Sequence, residues 1–211
     1  MELLRAARNG DIRRVQELLD SGVDINIRDN DGSTSLMMAS LQGYTDIVQL
    51  LLENRADPNL KNDYGMTALI RASLWGYTEI VRLLLEKRAD PNIQNRDGTT
   101  ALMMAILEEE TETVRLLLEH NADINIKNNG GKTAYDFALD TGNIEIIELL
   151  KYYMMMYNMQ RRRRRNLTYR KKRTQLAHKN LALSKFIDTY DIDDPLTRHM
   201  RRETIRSIMD Y

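Results

Sequence analysis

The 211-residue sequence has no cysteine, one tryptophan, two phenylalanines and three prolines. Without a thiol there are no disulfide staples, no thiolate metal sites and no cysteine nucleophile, and a reducing compartment is the simplest setting. Long apolar runs are also missing. The N-terminus "MELLRAARNGDIRRVQELL" is charged within its first five residues and has no continuous apolar stretch, so it does not read as a signal peptide. Nothing approaches the ~20 apolar residues of a membrane-spanning helix. The chain is expected to be a soluble intracellular monomer, in nucleus or cytoplasm, with no membrane contact. Glycine stops at Gly142, and neither glycine nor proline occurs from Asn143 to Asp194.

What is present divides the chain in two. Its formal net charge is zero, yet residues 1–150 carry 15 Lys+Arg against 25 Asp+Glu, and residues 151–211 carry 16 against 6. Such asymmetry points to an acidic body with a basic, partner-seeking tail. Hydrophobic residues make up 42% of the composition, enough to build a core.

Internal repetition organises the body. "DGSTSLMMASLQGYTDIVQLLLENRADPN", "YGMTALIRASLWGYTEIVRLLLEKRADPN" and "DGTTALMMAILEEETETVRLLLEHNADIN" align without gaps, and Gly32, Gly65, Gly98 and Gly131 recur at 33 residues. Thr34, Thr67, Thr100 and Thr133 open apolar-periodic runs, where a hydroxyl can cap the first amides of a helix. Gly43, Gly76 and Gly142 follow that helix where a left-handed residue is needed. "DIVQLLL", "EIVRLLL" and "ETVRLLL" then supply a second helix with one apolar stripe. No unit buries its own face, so stacked units must form the core.

The 33-residue period and the T-x-L-x-x-A pattern resemble the ankyrin repeat, over about residues 2–152. The resemblance implies an all-α solenoid of helix-turn-helix units with short turn tips: a half-unit at 2–30, full units starting near 31, 64 and 97, and a last unit starting near 130. The repeat domain is expected over 1–157, a basic segment over 158–173 and a C-terminal helical module over 174–211. The composition also resembles ankyrin families of large DNA viruses and host-associated bacteria. There are departures from the family pattern. Its Pro and His are Ser35 and Met37, Ala68 and Ile70, Ala101 and Met103, so histidine hydrogen bonds give way to apolar packing. The glycine after the second helix is kept at Gly22 but becomes Arg55, Arg88 and Asn121; holding a non-glycine left-handed costs roughly 1 kcal/mol or more, and of the three only Asn121 is a comfortable substitute. In the third full unit Glu109 and Glu110 replace a Gly-Tyr pair, which makes that turn the least regular one.

No nucleophile, base and orienting acid stand at readable spacing, and no phosphate-cradling glycine loop follows a strand. His120, His178 and His199 are far apart in sequence, and His120 falls at a position usually solvent-facing in this repeat. Asp24, Asp57, Asp90 and Asp123 lie one per unit and are read as turn residues, not as metal ligands. The chain is expected to be no enzyme and to need no cofactor or metal.

A repeat stack acts by offering a surface, and the resemblance implies that this is the concave face of turn tips and first helices. Carried onto this sequence, that face holds Arg28, Asn30 and Ser33, then Lys61, Tyr64 and Met66, then Arg71, Leu74 and Trp75. Gln42 and Glu108 occupy the phase of Trp75 in the neighbouring units, which implies an exposed slot. An exposed tryptophan beside Tyr64, Met66 and Arg71 has the composition of a protein-binding hot spot. Leu41, Leu74 and Leu107 share one phase, and a leucine that repeats reads more readily as core. Glu108, Glu109, Glu110 and Glu112 form an acidic edge.

Past the stack, "LLKYYMMMYNM" extends the last helix, and Tyr152, Met154, Met155, Met156 and Tyr157 are expected to cap its open end. "QRRRRRNLTYRKKR" follows with Arg161, Arg162, Arg163, Arg164, Arg165, Arg170, Lys171, Lys172 and Arg173. Four readings compete: a nuclear-import signal for an import receptor, phosphate contact with RNA or DNA without base reading, anionic lipid, and contact with the chain's own acidic units. "TQLAHKNLALSKFIDTY" reads as an amphipathic helix on Leu176, Leu183, Ile187 and Tyr190, and Asp194 with Pro195 as the start of a final helix. That final helix has the size of a segment recruiting a ubiquitin ligase, which makes a substrate adaptor an alternative function.

Overall fold

The computed structural model describes the backbone of residues 1–189 and the side chains of those residues except 160–166, 169 and 176–189. The described residues form ten helices: α1 (Glu2–Asn9), α2 (Ile12–Asp20), α3 (Ser35–Gln42), α4 (Thr45–Glu53), α5 (Ala68–Leu74), α6 (Thr78–Glu86), α7 (Ala101–Leu107), α8 (Thr111–Glu119), α9 (Ala134–Thr141) and α10 (Ile144–Thr189). They contain no strand, and one isolated bridge pairs Arg28 with Thr34. The chain divides into two units, Met1–Met154 and Met155–Tyr211.

Within the first unit, α1, α3, α5, α7 and α9 pack in one row, and α2, α4, α6 and α8 in a second. Each first helix after α1 starts the same way. Thr34, Thr67, Thr100 and Thr133 accept from the amides of Met37, Ile70, Met103 and Asp136 at 3.3, 3.2, 3.4 and 3.3 Å. The core lies between units: Leu36, Leu69 and Leu102 from the first row meet Leu51, Leu84 and Leu117 from the second, all fully buried. Met37, Ile70 and Met103 are fully buried too, so apolar packing fills the family's histidine position. One position has not adapted fully. Ser35 Oγ is buried without a partner, as are Ser40 Oγ and Ser73 Oγ.

The turn between the two rows repeats even where its sequence does not. The amides of Tyr44, Tyr77 and Glu110 donate to Ala39, Ala72 and Ala105 at 3.0, 3.0 and 2.9 Å. Gly43 and Gly76 hold the left-handed conformation there, and Glu109 holds it at φ 57° in the third unit. A Cβ at Gly43 would lie 2.8 Å from the Tyr77 ring, so the side chain after each turn lies over the turn before it. The irregular turn is tied onward, because Asn143 donates to the Glu109 carboxylate at 3.0 Å.

Arg55, Arg88 and Asn121 are left-handed, at φ 69°, 65° and 65°. An asparagine ladder offsets part of that strain. Asn59 Nδ2 donates to the Arg88 carbonyl at 3.2 Å while its Oδ1 accepts from the Asp90 amide at 2.7 Å. Asn92 repeats the pair with Asn121 and Asp123, at 3.3 and 2.7 Å. Asp24, Asp57, Asp90 and Asp123 accept from amides two residues on, at 2.9 to 3.0 Å, the turn role expected of them.

The open end of the stack corrects one expectation. Along α10, Ile146 and Leu150 are buried, and Ile147, Leu149, Tyr153 and Met154 pack against the core, half-buried. Tyr152, Met155, Met156 and Tyr157 are 54%, 53%, 36% and 50% exposed, so of the five expected capping residues only Met154 serves. Helical periodicity accounts for three of them: residues 146, 150, 153 and 154 share one stripe, and residues 152, 155 and 156 fall outside it, while Tyr157 shares the stripe and is exposed all the same. Burial holds the Tyr153 hydroxyl above its ordinary pKa, with the Glu119 carboxylate adding to the effect.

Candidate functional site

The tips and first helices present one continuous side of the stack. The second and third tips are each shaped by a side-chain carbonyl: Asn62 Oδ1 accepts from the Tyr64 and Met66 amides at 3.0 and 2.9 Å, and Asn95 does the same for Asp97 and Thr99 at 2.9 and 2.8 Å. Successive tips are joined through backbone. The amides of Asp63, Arg96 and Asn129 donate to the carbonyls of Asp31, Tyr64 and Asp97 at 2.9, 3.0 and 2.9 Å. This lattice gives Tyr64 a rigid base. Tyr64 is 56% exposed, with the Arg96 guanidinium 5.6 Å from its ring centre. Met66 is half-buried, its sulfur 3.8 Å from Asn95 Nδ2. Arg28 is exposed and donates to the Lys61 carbonyl, Lys61 and Asn30 are exposed, and Ser33 is buried.

Arg71 is half-buried on α5 and reaches back across the inter-unit seam. It donates to Ser33 Oγ at 3.1 Å, the Met37 carbonyl at 3.5 Å and the Met38 sulfur at 3.9 Å. Ser33 Oγ also accepts from Asn62 Nδ2 at 3.1 Å. Burial lowers the pKa of the guanidinium. The carboxylates of Asp29 and Asp31 oppose that shift, and the cation of Arg8 adds to it.

Leu74 and Trp75 follow Arg71 by three and four residues, which puts all three on one helix face. Trp75 ends α5 and is 57% exposed; Gln42 and Glu108 at the same phase are exposed as well. The leucine column departs from the core reading. Leu41 and Leu74 are half-buried and Leu107 is 43% exposed, because that phase faces away from the second helix row. Two cations missed from sequence belong here. Arg5 and Arg8 on α1 occupy the phases of Arg71 and Leu74 two units earlier, a signal the 33-residue period carries.

Among the described residues no group of acidic and histidine side chains is placed to hold a metal ion. His120 is half-buried, with Nδ1 3.0 Å from the Leu116 carbonyl. The acidic edge is partly engaged: Glu112 pairs with Arg115 at 3.5 Å, and Glu110 packs over Gly76. In the second unit, Arg170, Lys171, Lys172 and Arg173 are exposed. The side chains of Arg161 to Arg165, Tyr169, His178, Leu176, Leu183 and Ile187 lie outside the described residues, as do Tyr190, Asp194, Pro195 and His199. No helix of the described residues is long and apolar enough to cross a membrane.

Comparison with known proteins places this architecture. A family model for ankyrin repeats, in three copies, matches residues 3–95 and 87–161. Two ankyrin repeat proteins of Rickettsia felis are each 50% identical over 46 residues, 22% of this chain and 73% and 70% of theirs. A serine/threonine-protein kinase of Arabidopsis thaliana is 45% identical over 47 residues, 22% of this chain and 10% of the kinase. Ankyrin repeats are generally non-catalytic modules for protein–protein interaction. With the capped first helices, the stacked tips and the family match over the same residues, the chain belongs to the ankyrin-repeat family.

Proposed function

We propose that the chain captures a partner protein on the face formed by the tips and first helices, centred on Tyr64, Arg71, Leu74 and Trp75, with Met66, Arg28 and Lys61 at its edge. The observation that carries this is the exposed Trp75 ring beside the half-buried Leu74 on a helix whose opposite side is core. Large exposed aromatics on a rigid base lose little entropy on binding and dominate interface energetics. Affinity capture from native cells with wild-type and Trp75→Ala chains tests it. Capture should weaken by about thirty-fold, the effect of losing a hot-spot residue, while the melting transition is unchanged. Equal capture by both chains would sink the proposal.

The exposed cations from Arg170 to Arg173 support a second role, in which the basic run directs the protein to the nucleus or grips nucleic acid without base reading. Alanine at Arg161 to Arg165 should disperse a nuclear fluorescent fusion. RNA affinity that falls steeply with salt would favour the phosphate grip instead. The ligase-adaptor alternative rests on residues after Thr189, outside the described residues.

A further inference from the structure

We infer that the partner is an acidic segment, which seats a carboxylate on Arg71 and an apolar neighbour against Leu74 and Trp75. This rests on the face proposed above and names the chemistry it receives. Packing does not require an arginine at this position. Met38 and Met104 occupy the same phase in the units on either side, and both units build the same helix and turn. Arg71 therefore stands where methionine satisfies the stack.

Its hydrogen-bond partners are all neutral: a serine hydroxyl, a backbone carbonyl and a thioether. Elsewhere in the stack, Arg14 pairs with Glu2 and Glu17, Arg82 with Glu79, Arg115 with Glu112 and Lys132 with Asp140. Among the described residues of 1–150 the half-buried cations are Arg14, Arg71, Arg82 and Arg115, and of these four Arg71 has no such pair; the other unpaired cations, Arg5 and Arg8 with them, are exposed. A half-desolvated guanidinium with only neutral partners gains most from a bidentate carboxylate, which supplies charge and two acceptors at once. The surroundings favour a single carboxylate over a string of phosphates. Asp29 and Asp31 act on Arg71 from the tips, and Glu108 follows on the next helix; a continuous polyanion would meet all three.

The test selects short random peptides displayed on phage against the full chain. The winners are synthesised and their binding measured by fluorescence anisotropy. Winners should share one Asp or Glu near an apolar residue, and changing that acid to its amide should weaken binding about ten-fold or more. Arg71→Met should weaken it to the same degree while the chain melts at or above the wild-type temperature, Arg71→Lys should recover part of the affinity, and Arg82→Met on the outer row should bind as wild type. Winners without a carboxylate, binding indifferent to Arg71→Met, or displacement by single-stranded oligouridine would overturn the acidic seat. Binding that depends on Trp75 and not on Arg71 removes the seat and leaves the face; dependence on neither removes both.

Discussion

In the second full unit the first helix shows Arg71, Leu74 and Trp75; in the third, the same backbone shows Met104, Leu107 and Glu108 at the same three phases. The caps, the turn hydrogen bonds and the buried leucines of the two units superimpose in kind, bond for bond. At buried phases the two units exchange one small or apolar residue for another, Ile70 for Met103 and Ser73 for Ile106; a change of charge on this helix comes only at positions the stack leaves partly in solvent. Where neighbouring units agree, the residue answers to packing. Where one unit departs at a partly exposed phase and half-buries an unpaired cation, packing does not account for the departure, and the proposed partner surface rests on it.

That comparison can be broken at the tips first. Gly65 sits at φ 73°, and a Cβ there would lie 2.8 Å from the Arg96 amide, so Gly65→Ala should cost roughly 3 kcal/mol in urea unfolding. Gly131 has φ 78° and nothing within 4 Å, and Gly131→Ala should cost about 1 kcal/mol. Equal losses would mean that the stacked tips do not couple the units. Asn59→Ala removes two inter-unit bonds and should cost about 1 to 2 kcal/mol. Asn125→Ala removes only the Nδ2 bond to Asp123 within its own turn, leaving the backbone amide bond in place, and should cost less, a contrast that hydrogen exchange of the flanking amides would also report. Arg88→Gly should stabilise the chain by up to about 1 kcal/mol, since glycine meets no penalty in the left-handed region and the Asn59 bond to its carbonyl survives. The smallest effect belongs to Ser73→Ala. Its hydroxyl is buried without a partner where the third unit has Ile106, so the unfolding free energy should stay or rise by about 0.5 kcal/mol. A clear loss there would show that the hydroxyl has a partner in solution.

Much of the fold was legible because it is local. A threonine three residues before the amide it caps, a glycine at a helix end and an apolar stripe of helical period each act within a turn or two of chain. The candidate surface was legible to the same extent, as a list of phases: the 33-residue period placed Trp75 with Gln42 and Glu108 and marked that slot as exposed. What it did not reveal were contacts made across the seam. Nothing local to Arg71 announces Ser33 and the Met37 carbonyl as its partners, and nothing local to Asn59 announces the Arg88 carbonyl. The same limit explains the capping error, in which composition pointed to the tyrosine and methionine cluster as a whole while the stripe selected Tyr153 and Met154.

By itself, then, the sequence determined the repeating unit, its phase, its caps and the division between an acidic stack and a basic extension, since each depends on residue type and short-range periodicity. Only the tertiary structure decided which positions of equal phase are buried or shown, that the leucine column lies outside the core, and that Arg71 is half-buried among neutral partners. Those outcomes depend on how far one unit is displaced and turned against the next, a property of packed surfaces that no single unit contains.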